Sequence, residues 1–401
     1  MQRLTRTLCL LLAIVMIGGV FTACNIPTGG LFRDPSTDTT ESSDDSKIPA
    51  TESDDTSDES DIPGVTSEPD TSVSDTAPDE TDSLETPGFV NPLTGLPSEK
   101  DFTGLRPAAI MVNNIAVSCP QKGVGEADII YECLVEGGYT RLMMLSMDYA
   151  NLGTVGSVRS TRHYYLDFSA DYDAIHVHAG ASTYAYDTMD VRVVHNLDGV
   201  NMYLPATFFR DPERIKSMGL EHSLMTTGDG IVSGVKYKKY RTTTDDNFDY
   251  PVDFVSPDTT VVFDEAASHV RIPYSAVQTT DFVYDEETET YLRYQFNGKS
   301  HIDQTTGEQL AFDNVLIYFC ETGRITGDAK LRIEVGTVGN GTGFYATKGT
   351  YVPITWEKDE SESPIRFYDA DGELLLMNPG KTFISVCPTY LETSIQFNYE
   401  G

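Results

Sequence analysis

Residues Arg141 to Ser182, RLMMLSMDYANLGTVGSVRSTRHYYLDFSADYDAIHVHAGAS, decide how this chain is read. They set three arginines, three histidines and a run of small residues between two apolar, strand-like stretches. The first of these, Thr140 to Met147, is reached from Ala127 to Val135 through Glu136-Gly137-Gly138-Tyr139. A Gly-Gly link with apolar flanks predicts a β-hairpin. After Asp148 the glycines and hydroxyl residues of YANLGTVGSVRSTR suit a loop whose backbone N–H groups approach an anion. Arg159 and Arg162 then stand just ahead of HYYLDFSADY, which reads as a short helix. If that helix starts near Thr161, both guanidinium groups lie by its N-terminus, where negative charge is already favoured. Each offers a planar two-donor fork that matches phosphate or carboxylate. The competing reading is of surface arginines paired with Asp167 or Asp171.

The second apolar stretch, Asp173 to Val177, runs through His178 into Ala179-Gly180-Ala181-Ser182 and a predicted helix, STYAYDTMDVRVV. Strand, tight turn and helix repeat a geometry that holds phosphates. His176 and His178 share a strand face, but a zinc site needs third and fourth ligands that the sequence does not place, so neither metal nor cofactor is expected.

Working outward, Ala108 to Val112 reads as a buried strand ending in Asn113 and Asn114, amides that could face a ligand at the strand's carboxyl end or simply form a turn. Downstream, FFRDPERI adds Arg210 and Arg214 at a helix start with Pro212 in its first turn, and GLEHSL supplies His222. The candidate ligand-binding residues are therefore Asn113, Asn114, Arg141, Arg159, Arg162, His178, Ser182, Arg210, Arg214 and His222. No catalytic residue is assigned. Were phosphoryl transfer the chemistry, Asp148 or Asp211 would act as base or metal ligand.

Past Tyr250 the pattern changes to alternation, as in SHVRIPYS and TDFVYDEETETYLRYQFNG, interrupted by Asn297-Gly298, Thr306-Gly307 and Asp371-Gly372. That is the signature of antiparallel hairpins. The expected architecture is α+β overall: an α/β domain over residues 89–248, with a mixed sheet and flanking helices, then a mainly antiparallel β domain over 249–401. Two domains are also the prior for the roughly 315 residues from 87 onward.

Before residue 89 the chain is of another kind. Arg3 and Arg6 precede an apolar run from Leu8 to Phe21, and Thr22-Ala23-Cys24 fits a bacterial lipobox. Residues 1–23 thus read as a lipoprotein signal peptide and Cys24 as the acylated residue, placing the protein on the outer face of the cytoplasmic membrane. From Asn25 to Thr86, eighteen acidic residues face only Arg33 and Lys47, with hardly any large apolar side chain. Residues 24–88 are accordingly expected to form a lipidated, disordered, extended tether. Its net charge of −16, set against +2 for the signal and −34 for the whole chain, leaves −20 for residues 87–401. That excess of acid argues against nucleic-acid binding. Partners are expected to be the membrane, through Cys24, and an anionic wall ligand or an envelope protein. Cys119, Cys133, Cys320 and Cys387 show no metal-ligand spacing, and the last three sit in strand-like runs where free buried thiols are as natural as bridges.

NPLTGL, RPAAIMVNN, ADIIYECLVEGGYTRLM, GSVRSTRHYYLDFSADYDAIHVHAGAS and the late NPGKTFISVCP together resemble the YerB-like lipoproteins of Gram-positive bacteria. The resemblance spans about residues 89 to 390 and implies a lipid-anchored envelope protein with two successive family domains. Members are of unknown function, so it transfers no catalytic residue. In SCPQKG the family-like pattern has an Arg before Pro-Gln, where this chain carries Cys119. A fainter, topological similarity to the LytR-CpsA-Psr phosphotransferases rests on RLMMLSMD followed by a loop arginine and FRDPER. It implies a cell-wall enzyme acting on a lipid-linked pyrophosphate as the alternative to a binding protein, and a non-catalytic envelope scaffold is a third reading. Replacing Cys24 by Ser should abolish incorporation of labelled palmitate into the mature protein, whereas undiminished labelling would place the anchor elsewhere.

Overall fold

The apolar runs Ala108–Asn114 (β1), Ile129–Leu134 (β2) and Thr140–Ser146 (β3) are buried along their whole lengths, as strands covered on both faces are. They pair antiparallel, β2 with β3 and β3 with β1. The β2–β3 link is the expected hairpin, and its Gly137 and Gly138 both take positive φ. A computed structural model describes residues 88–246 and 248–400 of the protein; the signal segment, Cys24 and the acidic tether lie outside them.

Next come Thr154–Gly156 (β4), His163–Ala170 (α1), Ile175–His178 (β5), Thr183–Val191 (α2), Asn196–Asp198 (β6), Phe208–Arg210 (β7), Pro212–Met218 (α3), Leu224–Thr227 (β8) and Gly228–Lys238 (α4). β5 runs parallel to β1 and to β6, which makes the sheet mixed. β4, β8 and β7 form a small antiparallel sheet beside it.

In the later region His269–Ile272 (β9), Thr280–Asp285 (β10) and Thr290–Gln295 (β11) form an antiparallel meander. Asn314–Cys320 (β12), Gly339–Thr347 (β13) and Thr350–Lys358 (β14) form another. Thr382–Pro388 (β15) is buried throughout and runs parallel to β12 on one side and to β2 on the other. The large sheet therefore runs β14-β13-β12-β15-β2-β3-β1-β5-β6 without a break. Residues 89–248 and 249–401 keep the element types expected of them, yet they share this sheet and lie in one unit, Glu80–Gly401. The reason is local: every residue of β15 is covered, so its backbone needs a neighbour on each edge.

Alternation along the strands builds two cores. One face presents Ile110, Val112, Ile130, Met144 and Phe383 to Val270, Ile272 and Phe282 of the meander and to Ile231 and Val235 of α4. The other presents Met111, Tyr131, Met143 and Val386 to Tyr164, Tyr165 and Phe168 of α1. Two expectations need correction. Asn113 and Asn114 lie within β1, paired with Arg141 and Thr140, because the register continues through them instead of opening into a loop. Helix α1 begins at His163, with Arg162 at its cap position.

One ion pair lies between the first core and the meander with neither partner exposed: Arg293 on β11 donates to Glu132 on β2 at 2.8 Å. The Glu132 carboxylate also accepts from Asn114 (3.0 Å), Thr140 (2.6 Å), Gln278 (3.2 Å) and Thr280 (2.8 Å). Removing one member leaves a buried charge uncompensated. Arg293→Met should therefore cost roughly 3–5 kcal/mol in urea unfolding, and adding Glu132→Gln should recover much of it. A loss below about 1 kcal/mol in the single variant would show that the pair does not hold the two regions together.

Candidate functional site

β1 and β5 pair only over Ala108–Ile110 and Ile175–Val177. Beyond that point residues 157–161 enter between their carboxyl ends. The Arg159 N–H donates to the Met111 carbonyl at 2.9 Å, and the Ala179 and Thr161 N–H groups donate to the carbonyls of Arg159 and Gly180, each at 3.0 Å. A crevice opened at strand carboxyl ends is where α/β sheets carry ligands. Arg141, near the start of the antiparallel β3, is brought to the same end directly opposite Asn113.

The resulting cleft, about 450 Å³, is lined by Asn113, Glu136, Thr140, Arg141, Arg159 and Lys330, with Tyr139 and Leu331 at its rim. Arg162 adjoins it through a two-pronged ion pair with Glu136, Nε reaching Oε2 at 2.9 Å and Nη2 contacting Oε1. Arg159 pairs with Glu221. Arg141 has no carboxylate: it donates to the Ser160 carbonyl, and its Nε, like that of Arg159, is buried without a partner among the described residues. Burial, reinforced by repulsion from Arg162 and Arg159 and partly offset by Glu136, brings Arg141 down to about 9. At neutral pH it still carries its charge, held where that charge is unfavourable. Burial pushes Glu136 upward, but the Arg162 hydrogen bond and charge, with help from Arg141, bring it down to about 2.

His222 sits behind Asn113, whose amide lies 2.9 Å from its Nδ1. Burial lowers the His222 pKa, with Glu221 opposing and Arg159 and Arg214 adding to the effect; the neutral ring accepts from that amide. Arg210 donates to the Leu220 carbonyl and lines an adjoining cleft that shares Arg159. The remaining candidates are elsewhere. Asn114 belongs to the Glu132 network. Arg214 is buried against the Ser118 and Pro120 carbonyls and Gln304, holding a loop in place. His178 is enclosed, with Gly180 O at 2.9 Å and Asn196 Oδ1 at 3.1 Å. Ser182 caps α2 by accepting from Ala185 N–H. Asp148 faces Lys100 and Asn151, and Asp211 caps α3 and pairs with Lys122 at 2.8 Å, so neither lines the cleft. Arg162 and Arg159 do take acidic partners, but these are Glu136 and Glu221, not Asp167 or Asp171.

Sequence reasoning missed Glu136, which it treated as a turn residue, and Lys330, which arrives from a hairpin loop almost two hundred positions downstream. A third cleft, about 540 Å³, surrounds Arg106, Arg192 and Arg241. There every arginine already meets a carboxylate, Asp173 for Arg106 and Arg241 and Asp167 for Arg192. The cleft at Arg141 is distinguished by a cation left over.

Two halves of the family described as "Protein of unknown function (DUF3048)" match the chain, the N-terminal domain over residues 93–241 and the C-terminal domain over 270–384. The "Putative lipoprotein YerB" of Bacillus subtilis strain 168 is 29% identical over 329 residues, covering 80% of this chain and 91% of that one. The chain belongs to the YerB-like family. The crystal structure of the Bacillus subtilis YerB protein matches with a TM-score of 0.67 at 27% identity, covering 77% of this chain and 99% of that one. The family description gives two domains of unknown function, and the word lipoprotein belongs to the name of the Bacillus subtilis relative. Among the described residues no helix is long and apolar enough to cross a membrane.

Because Glu136 titrates below its ordinary 4.5, its ion pair stabilises the fold above about pH 4.5 and that contribution fades as pH falls toward 2. Melting temperature plotted against pH should drop less steeply over this interval for Glu136→Gln than for wild type. Parallel curves would mean the pair adds nothing.

Proposed function

We propose that this protein is a lipid-anchored component of the cell envelope, on the outer face of the cytoplasmic membrane, that holds an anionic ligand through Arg141, Arg159 and Arg162. The ligand class is a phosphate or carboxylate. One observation carries the reading: Arg141 is a buried cation beside two others, with no acid of its own, at an open crevice. An isolated charge in such a place is costly unless something neutralises it, and an anion in the cleft does so. Asn113 supplies a neutral amide on the same wall. Binding is favoured over phosphoryl transfer because, among the described residues, Glu136 is the carboxylate that lines the cleft and it is held by Arg162, as the neighbouring Glu221 is by Arg159. The anchor is supported by the apolar run from Leu8 to Phe21 just ahead of Cys24 and by the lipoprotein description of the relative.

Inorganic phosphate should raise the melting temperature of the wild-type chain as ligand binding to the native state requires. Arg159→Ala should weaken this response at least about tenfold, the value of one charged hydrogen bond. Arg162→Ala should weaken it as well, since Glu136 then faces the anion unneutralised. An undiminished phosphate response in both variants, with far-ultraviolet circular dichroism unchanged, would refute the assignment.

A further inference from the structure

Arg159 forms part of two clefts, and they differ in character. On one side lies the cationic cleft with Arg141. On the other lies one of about 530 Å³ whose apolar wall is Val158, Ala179, Val200, Leu220 and Leu224. Val200 and Leu220 leave 57% and 60% of their surface in water, an exposure that folding alone does not require. The wall is preformed. Asp198 accepts from the Gly180 N–H at 2.7 Å, from the Val200 N–H at 2.9 Å and from the Tyr186 hydroxyl at 2.7 Å, fixing the 179–182 turn and the chain carrying Val200. Lining the cationic cleft, Arg141, Arg159 and Lys330 outnumber Glu136 by two positive charges, which matches the dianion of a phosphate monoester and exceeds what one carboxylate neutralises.

Resting on the anion-binding reading above, we infer that the ligand is an amphiphile. Its phosphate head lies against Arg141 and Arg159, and its apolar chain lies along Val200, Leu220 and Leu224. A head without a chain would leave the second cleft without a use, and a chain without a head would leave Arg141 uncompensated.

Calorimetric titration of the full chain with inorganic phosphate, octanoate and octyl phosphate, the last below its micelle concentration, tests this. Octyl phosphate should bind at least about tenfold more tightly than either of the others, a gain that two or three buried methylenes provide. Val200→Ser combined with Leu220→Ser should bring octyl phosphate close to the affinity of inorganic phosphate while leaving the latter unchanged, so that phosphate binding itself reports an intact fold. Arg159→Ala should weaken both phosphates together. If octyl and inorganic phosphate bind equally, the amphiphile is refuted while anion binding stands. If neither binds, both fall. Octanoate matching octyl phosphate would overturn the dianionic head, and a chain-dependent gain that survives the Val200 and Leu220 changes would overturn the placement of the tail.

Discussion

The carboxylate of Glu132 is the constraint from which most of this structure follows. It is wholly buried, and five donors converge on it: two from the strands beside it, Asn114 and Thr140, and three from the meander, Gln278, Thr280 and Arg293. A charge in that position is tolerated only with its hydrogen bonds complete. The order extends outward. His301 lies against Arg293, burial and that guanidinium lower its pKa, and the neutral ring donates its Nε2–H to Gln121 at 2.9 Å. Gln121 in turn donates to the Asn113 carbonyl at 3.0 Å. The meander is thereby docked on the large sheet in one position.

That docking bears on the cleft through the strand register. Asn114 and Thr140, which bind Glu132, are paired across β1 and β3, and the next pair is Asn113 with Arg141. Side chains of successive strand residues point to opposite faces. The pair that seals the core and the pair that faces the crevice are therefore one residue apart on the same two strands. A slip that relaxed the Glu132 network would also move Arg141. A cation held next to so densely hydrogen-bonded a polar cluster is preorganised, so that little order would remain to be created on binding an anion as proposed.

Much of the architecture was legible locally. The Gly-Gly hairpin, the buried strand before the paired asparagines, the Pro212 helix start and the alternation after Tyr250 are short-range signals, each with its own chemistry. Long-range pairing was not. TFISVCP reads as a buried strand, but nothing in its seven residues says that its edges meet β12 and β2, which lie far away in the chain. The shift of pattern near residue 248 separates two regions of different element type, matching the two family domains, but does not say that they share one sheet. The site shows a similar division. Arginines at element ends were conspicuous against an acidic background, and three of five meet. Arg214 carries the same signal but is spent on two loop carbonyls. Asn114 and His178 are polar groups serving the core, and a sequence does not distinguish a buried amide facing a carboxylate from one facing a ligand.

The acidic balance of the chain sets how a cationic cleft of this kind works. With −20 on residues 87–401, the far field repels anions, so electrostatic steering does not accelerate their arrival. Attraction begins only within roughly a Debye length, about 8 Å at physiological salt, where the local arginines outweigh the general charge. Such a site is poorly suited to collecting a dilute soluble anion. It is well suited to a ligand confined to the same surface as the protein, because confinement supplies the effective concentration that steering would otherwise provide. Under the anchoring and ligand proposed above, the acidity of the chain and the exposed Val200 and Leu220 wall favour lateral encounter with a membrane-bound amphiphile over capture from solution.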